Sequence, residues 1–224
     1  LEGAAATDRF DTIVLDAGHG GEDEGARGRD GLAEKDVVLD VTRRLRDRLV
    51  GLGYRVVLTR ESDRKVSLRE RVARANEARG DLFVSIHANA APQRWVRGVE
   101  TFFLSLEASD DAARALAQSE NEAFEGADVE AVAGSNALLG ILGDLMVSEH
   151  MVESNEFARM AQQALAIQDS VRSRGVKQAP FHVLMGVHMP ACLVEIGFLS
   201  NARDERELAE GTRRDEIAEA LAVS

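Results

Sequence analysis

The chain has one cysteine, Cys192, among its 224 residues. That excludes an intrachain disulfide and a cysteine-rich metal site, and it suits cytoplasm and periplasm equally. Basic residues are in deficit, with 27 Lys and Arg against 39 Asp and Glu and a net charge of −12. Nucleic acid is therefore not expected as the main partner, because phosphate binding needs a basic surface. No apolar run approaches the roughly 18 residues that a membrane span requires. Several local signatures are also missing. Gly18-His19-Gly20-Gly21 fits neither GxGxxG nor GxxxxGKS/T, and acids follow it where a phosphate site needs lysine. No HExxH pair and no GxSxG elbow occurs, and Ser85 two residues from His87 does not make a triad.

What is present is a 45% hydrophobic chain, enough for one sizeable core. Phe10 to Leu15 reads as a buried strand stopped by glycines. Glu34 to Val50 reads as a helix, with Val37, Val38, Val41, Leu45 and Leu49 on one face. Strands follow at Tyr54 to Thr59, Asp81 to Ala90 and Gly98 to Leu106, with a helix over Ser67 to Ala78. The order β-α-β-α-β predicts a single α/β domain with a mixed, mostly parallel twisted sheet of about six strands flanked by helices. Its last strands are expected at Phe181 to Met185 and Ala191 to Ile196, before a final helix capped by Asn201 with Leu208, Ile217 and Leu221 inward. Asp110 to Ser173 is expected to be mainly helical, acidic at first and then apolar almost all round in "NALLGILGDLMV". Residues 1–9 are expected to form a flexible tail ahead of a domain over 10–224. The start at Leu1 leaves room for targeting or further domains upstream.

Four residues stand out chemically. His19 follows the first strand and His87 ends the third, both at the sheet edge where open α/β folds place their sites. Glu34 begins the helix that follows the His19 loop. Two histidines and a glutamate suit zinc with a position left open. Hydrogen-bonded structural histidines and a Glu34 that merely complements its helix dipole are the competing reading. Glu195 lies among Leu193, Val194 and Ile196. It is either a solvent-facing strand-end residue or a general base beside a metal. His150, His182 and His188 are weaker candidates.

The chain resembles the zinc-dependent N-acetylmuramoyl-L-alanine amidases of the amidase-3 family. The likeness rests on "IVLDAGHGGEDEGARGRDGLAEKDVVLDV", "YRVVLTRESD", "SLRERVARAN", "DLFVSIHANA", "RGVETFFLS", "SENEA" and "MPACLVEIGFLSN", in that order along nearly the whole chain. Glu24 stands where the family often has proline, which bears on loop stiffness more than on chemistry. The resemblance implies Zn2+ on His19, Glu34 and His87, with Glu195 as the catalytic glutamate. It implies hydrolysis of the amide between N-acetylmuramic acid and L-alanine of peptidoglycan, in cell-wall remodelling or daughter-cell separation, and hence a periplasmic or extracellular location. Cell-division members carry a helical insertion that occludes the zinc until an activator protein draws it away. Residues 107–157 are placed to resemble it. Glu107, Glu120 or Glu122 is the expected occluding ligand, and Leu138 to Val147 the activator dock or the buried face of the latch. The competing readings are a plain core helix there, a different zinc exopeptidase or amidohydrolase, and a non-catalytic wall-binding module.

Overall fold

The computed structural model describes residues 10–123, 150–167 and 172–224. Six strands form one sheet: β1 (Thr12–Ala17), β2 (Arg55–Leu58), β3 (Leu82–Asn89), β4 (Val99–Leu104), β5 (Ser173–Ala179) and β6 (Ala191–Phe198). Their order is β2-β1-β3-β6-β4-β5. The first four run parallel, β4 lies antiparallel to β6, and β5 runs parallel to β4. The carboxyl ends of β1, β3 and β6 therefore share one edge.

Among the described residues, seven helices cover the two faces: α1 (Glu34–Gly51), α2 (Leu68–Ala78), α3 (Asp111–Glu122), α4 (Met151–Ala166), α5 (His182–Met185), α6 (Ala202–Ala209) and α7 (Gly211–Ala222). The predicted apolar face of α1 is buried against β1 and β3, together with Ala158, Ala161 and Leu165 of α4 and Ile217 and Leu221 of α7. The opposite face carries Leu68, Val72 and Ala75 of α2, Ala113, Leu116 and Ala117 of α3, and Val183 and Leu184 of α5. This is the expected α/β fold, one domain with its sheet between two helical layers.

Local sequence explains most boundaries. The Ser67 hydroxyl accepts from the Glu70 N–H to start α2, and the Asp110 carboxylate accepts from the Ala113 N–H to start α3. Asn201 caps α6 as expected, accepting from Arg203 and Asp204. The final helix is in fact two, broken where Glu210 takes an extended conformation.

One expectation needs correction. Phe181 to Met185 is not a strand, since His182–Met185 forms the short helix α5. The strand lies upstream at β5, which starts at Ser173, where the stretch expected to be helical ends. Its sequence, SRGVKQA, is polar because β5 is an edge strand with little buried surface. The apolar FHVLM run follows Pro180 and packs as a helical turn, a length at which periodicity cannot separate the two states. The 1–9 tail, Glu125, Asp128, Glu130 and the apolar Leu138 to Val147 segment lie outside the described residues.

Candidate metal centre

β1 ends at Ala17, and the chain turns through Gly18 into His19, whose φ of 56° is left-handed. A Cβ on Gly18 would overlap the His87 ring, so only glycine lets the two histidines approach. Gly25, with φ of 65°, is equally constrained, because a Cβ there would strike Glu34 Oε2 and the His19 ring. The loop then returns to α1, where the Glu34 N–H donates to Ala26 O. The Glu34 carboxylate accepts from the backbone of Ala26 (2.7 Å) and Ala88 (2.9 Å).

These segments bring His19, Glu34 and His87 together, and Glu120 joins them from α3. The chosen ligand atoms of all four lie within 4.8 Å of one another. His19 Nε2 is 3.2 Å from Glu34 Oε1 and 3.2 Å from Glu120 Oε2. His87 Nδ1 is 3.0 Å from each of the same two oxygens. The two rings meet edge-on with centroids 5.0 Å apart. Of the other two insertion acids, Glu107 is exposed in the bend before α3. Glu122 is exposed as well, being two residues from Glu120 and so on another side of the helix. Among the described residues His150, His182 and His188 do not join the group.

The donor set fits a divalent cation. The Asp23 carboxylate holds His19 Nδ1 at 2.9 Å. That places the proton on Nδ1 and turns the Nε2 lone pair towards two carboxylates. His19 Nε2 is buried and has no hydrogen-bond partner. A lone pair facing two anions is repulsive unless a metal ion or a proton lies between them. Two imidazoles with carboxylate oxygens, and no thiolate, are zinc-type donors.

Electrostatics at the site point the same way. Burial alone lowers the pKa of both histidines, but the acids outweigh it. Glu120 and Glu34 raise His87 to about 10, and Glu34 with Asp23 raises His19 further. Glu34 is held far below the usual carboxylate range despite the opposing effect of burial, chiefly by His19.

Glu195 is fully buried, against the solvent-facing reading. It is the strand neighbour of His87 on β3 and of Glu100 on β4. Both of its carboxylate oxygens are buried without a hydrogen bond. Burial raises its pKa well above the ordinary value, and Glu120, Glu34 and Glu100 add to this while His87 opposes it. Glu100 differs, because Asn89 donates to it and Arg174 and Lys177 pair with it.

Sequence reasoning missed the supporting residues. The Asp16 carboxylate accepts from Thr59 (2.6 Å), Ser85 (2.7 Å) and Arg71 (2.5 Å), which gives Ser85 a structural role. Asp23, four residues after His19 in "HGGED", was visible as an acid, but its bond to the ring was not. Asn121, next to Glu120, donates to Pro180 O (2.9 Å) and accepts from His182 N (2.8 Å). Nothing local marked these partners, which lie about sixty residues away.

Fold and site together define an α/β domain with a cluster of residues able to hold a metal ion at the carboxyl edge of its parallel strands. Residues 13–224 match the Amidase_3 family, N-acetylmuramoyl-L-alanine amidase, and the chain belongs to this enzyme family. It is 38% identical over 221 residues to N-acetylmuramoyl-L-alanine amidase AmiC of Escherichia coli O6:H1, covering 98% of this chain and 53% of that protein. It is 36% identical over 211 residues to AmiA of Escherichia coli K12, covering 94% and 73%. The chain thus spans about half the length of the AmiC relatives it matches. Among solved structures it superposes on amidase AmiC2 of Nostoc punctiforme with a TM-score of 0.72 at 28% identity, covering 96% of this chain and 94% of that one. It superposes on the CwlD amidase of Clostridioides difficile, solved in complex with the GerS lipoprotein, with a TM-score of 0.70 at 27% identity, covering 95% of each chain.

Proposed function

We propose that this domain hydrolyses the amide between N-acetylmuramic acid and L-alanine of peptidoglycan, with zinc held by His19, Glu34 and His87. The carrying observation is the convergence of these residues beside Glu195, a buried carboxyl with no hydrogen bond. Zinc bound there would supply Lewis-acid chemistry, acidifying water and polarising the amide carbonyl. Asp23 orients the His19 ring through Nδ1. Glu195 takes the proton of the attacking water and passes one to the L-alanine nitrogen as the C–N bond breaks. Its burial excludes bulk water from that transfer.

In this reading Glu120 fills the open ligand position at rest. It approaches both histidines, and its pKa is lowered mainly by His87, against the effect of burial. The resting site is therefore autoinhibited, and activity requires α3 to withdraw. An activator protein docking on the insertion is the natural trigger, consistent with an amidase of this fold that was solved with a lipoprotein partner. The substrate places the work outside the cytoplasmic membrane, in periplasm or cell wall, during wall remodelling or daughter-cell separation. No described helix is long and apolar enough to cross a membrane.

The deciding experiment combines metal analysis with product analysis on purified muropeptides. Stoichiometric zinc and a new free L-alanine amine are expected. Release of a terminal amino acid instead would move the chain to the exopeptidase reading, and bound zinc without turnover to a wall-binding role.

A further inference from the structure

Arg60 follows β2 and is fully buried. Its four hydrogen bonds all end on backbone carbonyls. Nε donates to Ala17 O (2.9 Å), Nη1 to Ser62 O (3.2 Å), and Nη2 to both Gly18 O (2.8 Å) and Lys35 O (2.9 Å). Burying a guanidinium without bonding it to a carboxylate is costly, so its retention calls for a reason. Arg71, buried beside it, is different, since it has Asp16 as counter-ion. Burial, with Arg71 nearby, pulls the Arg60 pKa down only to about 10, so the fork stays charged at neutral pH.

The acceptors supply the reason. Gly18 immediately precedes His19, and Lys35 immediately follows Glu34. One nitrogen, Nη2, thus ties the peptide before one ligand to the peptide after the other. Arg71 completes the hold by donating to His19 O at 2.8 Å, the carbonyl of the residue in left-handed conformation. We propose that Arg60 is a positioning residue of the metal centre, whose planar fork fixes the His19 and Glu34 backbones at ligand spacing before an ion arrives. This rests on the zinc reading above. A lysine keeps the charge but lacks two donors in one plane aimed at separate carbonyls.

The test measures zinc affinity by chelator competition in the unaltered chain, Arg60→Lys and Arg60→Gln, alongside melting of metal-free and zinc-loaded forms. Both variants are expected to bind zinc about 10- to 100-fold more weakly. Their gain in Tm on zinc addition should shrink accordingly. Unchanged zinc affinity with only a lower metal-free Tm would make Arg60 a plain core residue and overturn the proposal. If the unaltered chain binds no zinc, the metal reading falls and takes this inference with it. Should neither variant fold, 15N-arginine NMR on the unaltered chain decides. The Arg60 side-chain N–H resonances are expected to be resolved and protected from exchange before zinc is added, and a fork that becomes ordered only on zinc addition overturns the assignment.

Discussion

Gly18 leaves the His87 ring where a side chain would stand, so the His19 segment is shaped by what it lacks. Gly18→Ala is expected to displace His87 and lose zinc, which metal analysis of the folded variant checks. The residues of the proposed site separate by role. His19→Ala and His87→Ala should lose both metal and activity. Glu195→Gln should retain zinc while turnover falls about 10²- to 10⁴-fold, the usual worth of a positioned proton carrier. Zinc loss in that variant would instead make Glu195 a ligand. Asp16 is a residue of stability rather than chemistry. Burial raises its pKa, but Arg71, Thr59 and Ser85 outweigh this and hold it below 3.8 when folded. A depressed carboxylate pKa contributes stability that is present above 3.8 and lost as pH falls through the lower folded value. Asp16→Asn leaves Arg71 buried beside a neutral partner and should cost about 3–5 kcal/mol in denaturant unfolding at neutral pH.

At the scale of elements, the proposed occlusion rests on α3. Its N-cap Asp110 pairs with Lys177 of β5 at 3.2 Å, and its last turn puts Glu120 on the histidines. Asn121 fastens that end to the backbone around Pro180 and His182 through two hydrogen bonds. Asn121→Ala removes both, each worth about 1 kcal/mol net. Basal muropeptide cleavage is therefore expected to rise in Asn121→Ala, as in Glu120→Ala. A destabilising change that raises activity is hard to explain by damage. If Glu120→Ala is activated and Asn121→Ala is not, α3 is held by other contacts. If neither rises, Glu120 does not occlude the site. A folded deletion of 128–150 with unchanged basal activity would argue in the same direction.

At the scale of the molecule, the candidate ligands come from the β1–α1 loop, the start of α1, β3 and α3, and β6 adds Glu195, so an ion held there would tie much of the domain together. Chelation is expected to lower Tm, and zinc to restore it in proportion to its excess over Kd. The sequence by itself determined the alternating strand and helix order, because buried faces and caps are local patterns. It also singled out His19, Glu34, His87 and Glu195, because such groups are anomalous at the ends and interiors of apolar strands. It left open whether they met, misplaced β5, and named three insertion acids without choosing one. Those were decided by tertiary structure. β5 is an edge strand whose polar residues carry no apolar alternation, and Glu120 is selected by the rotation and docking of α3. The arginines earn their buried places from carbonyls at positions 17, 18, 19 and 35. Pairings of that kind are made across the fold between groups every residue has, so nothing in the local sequence marks them.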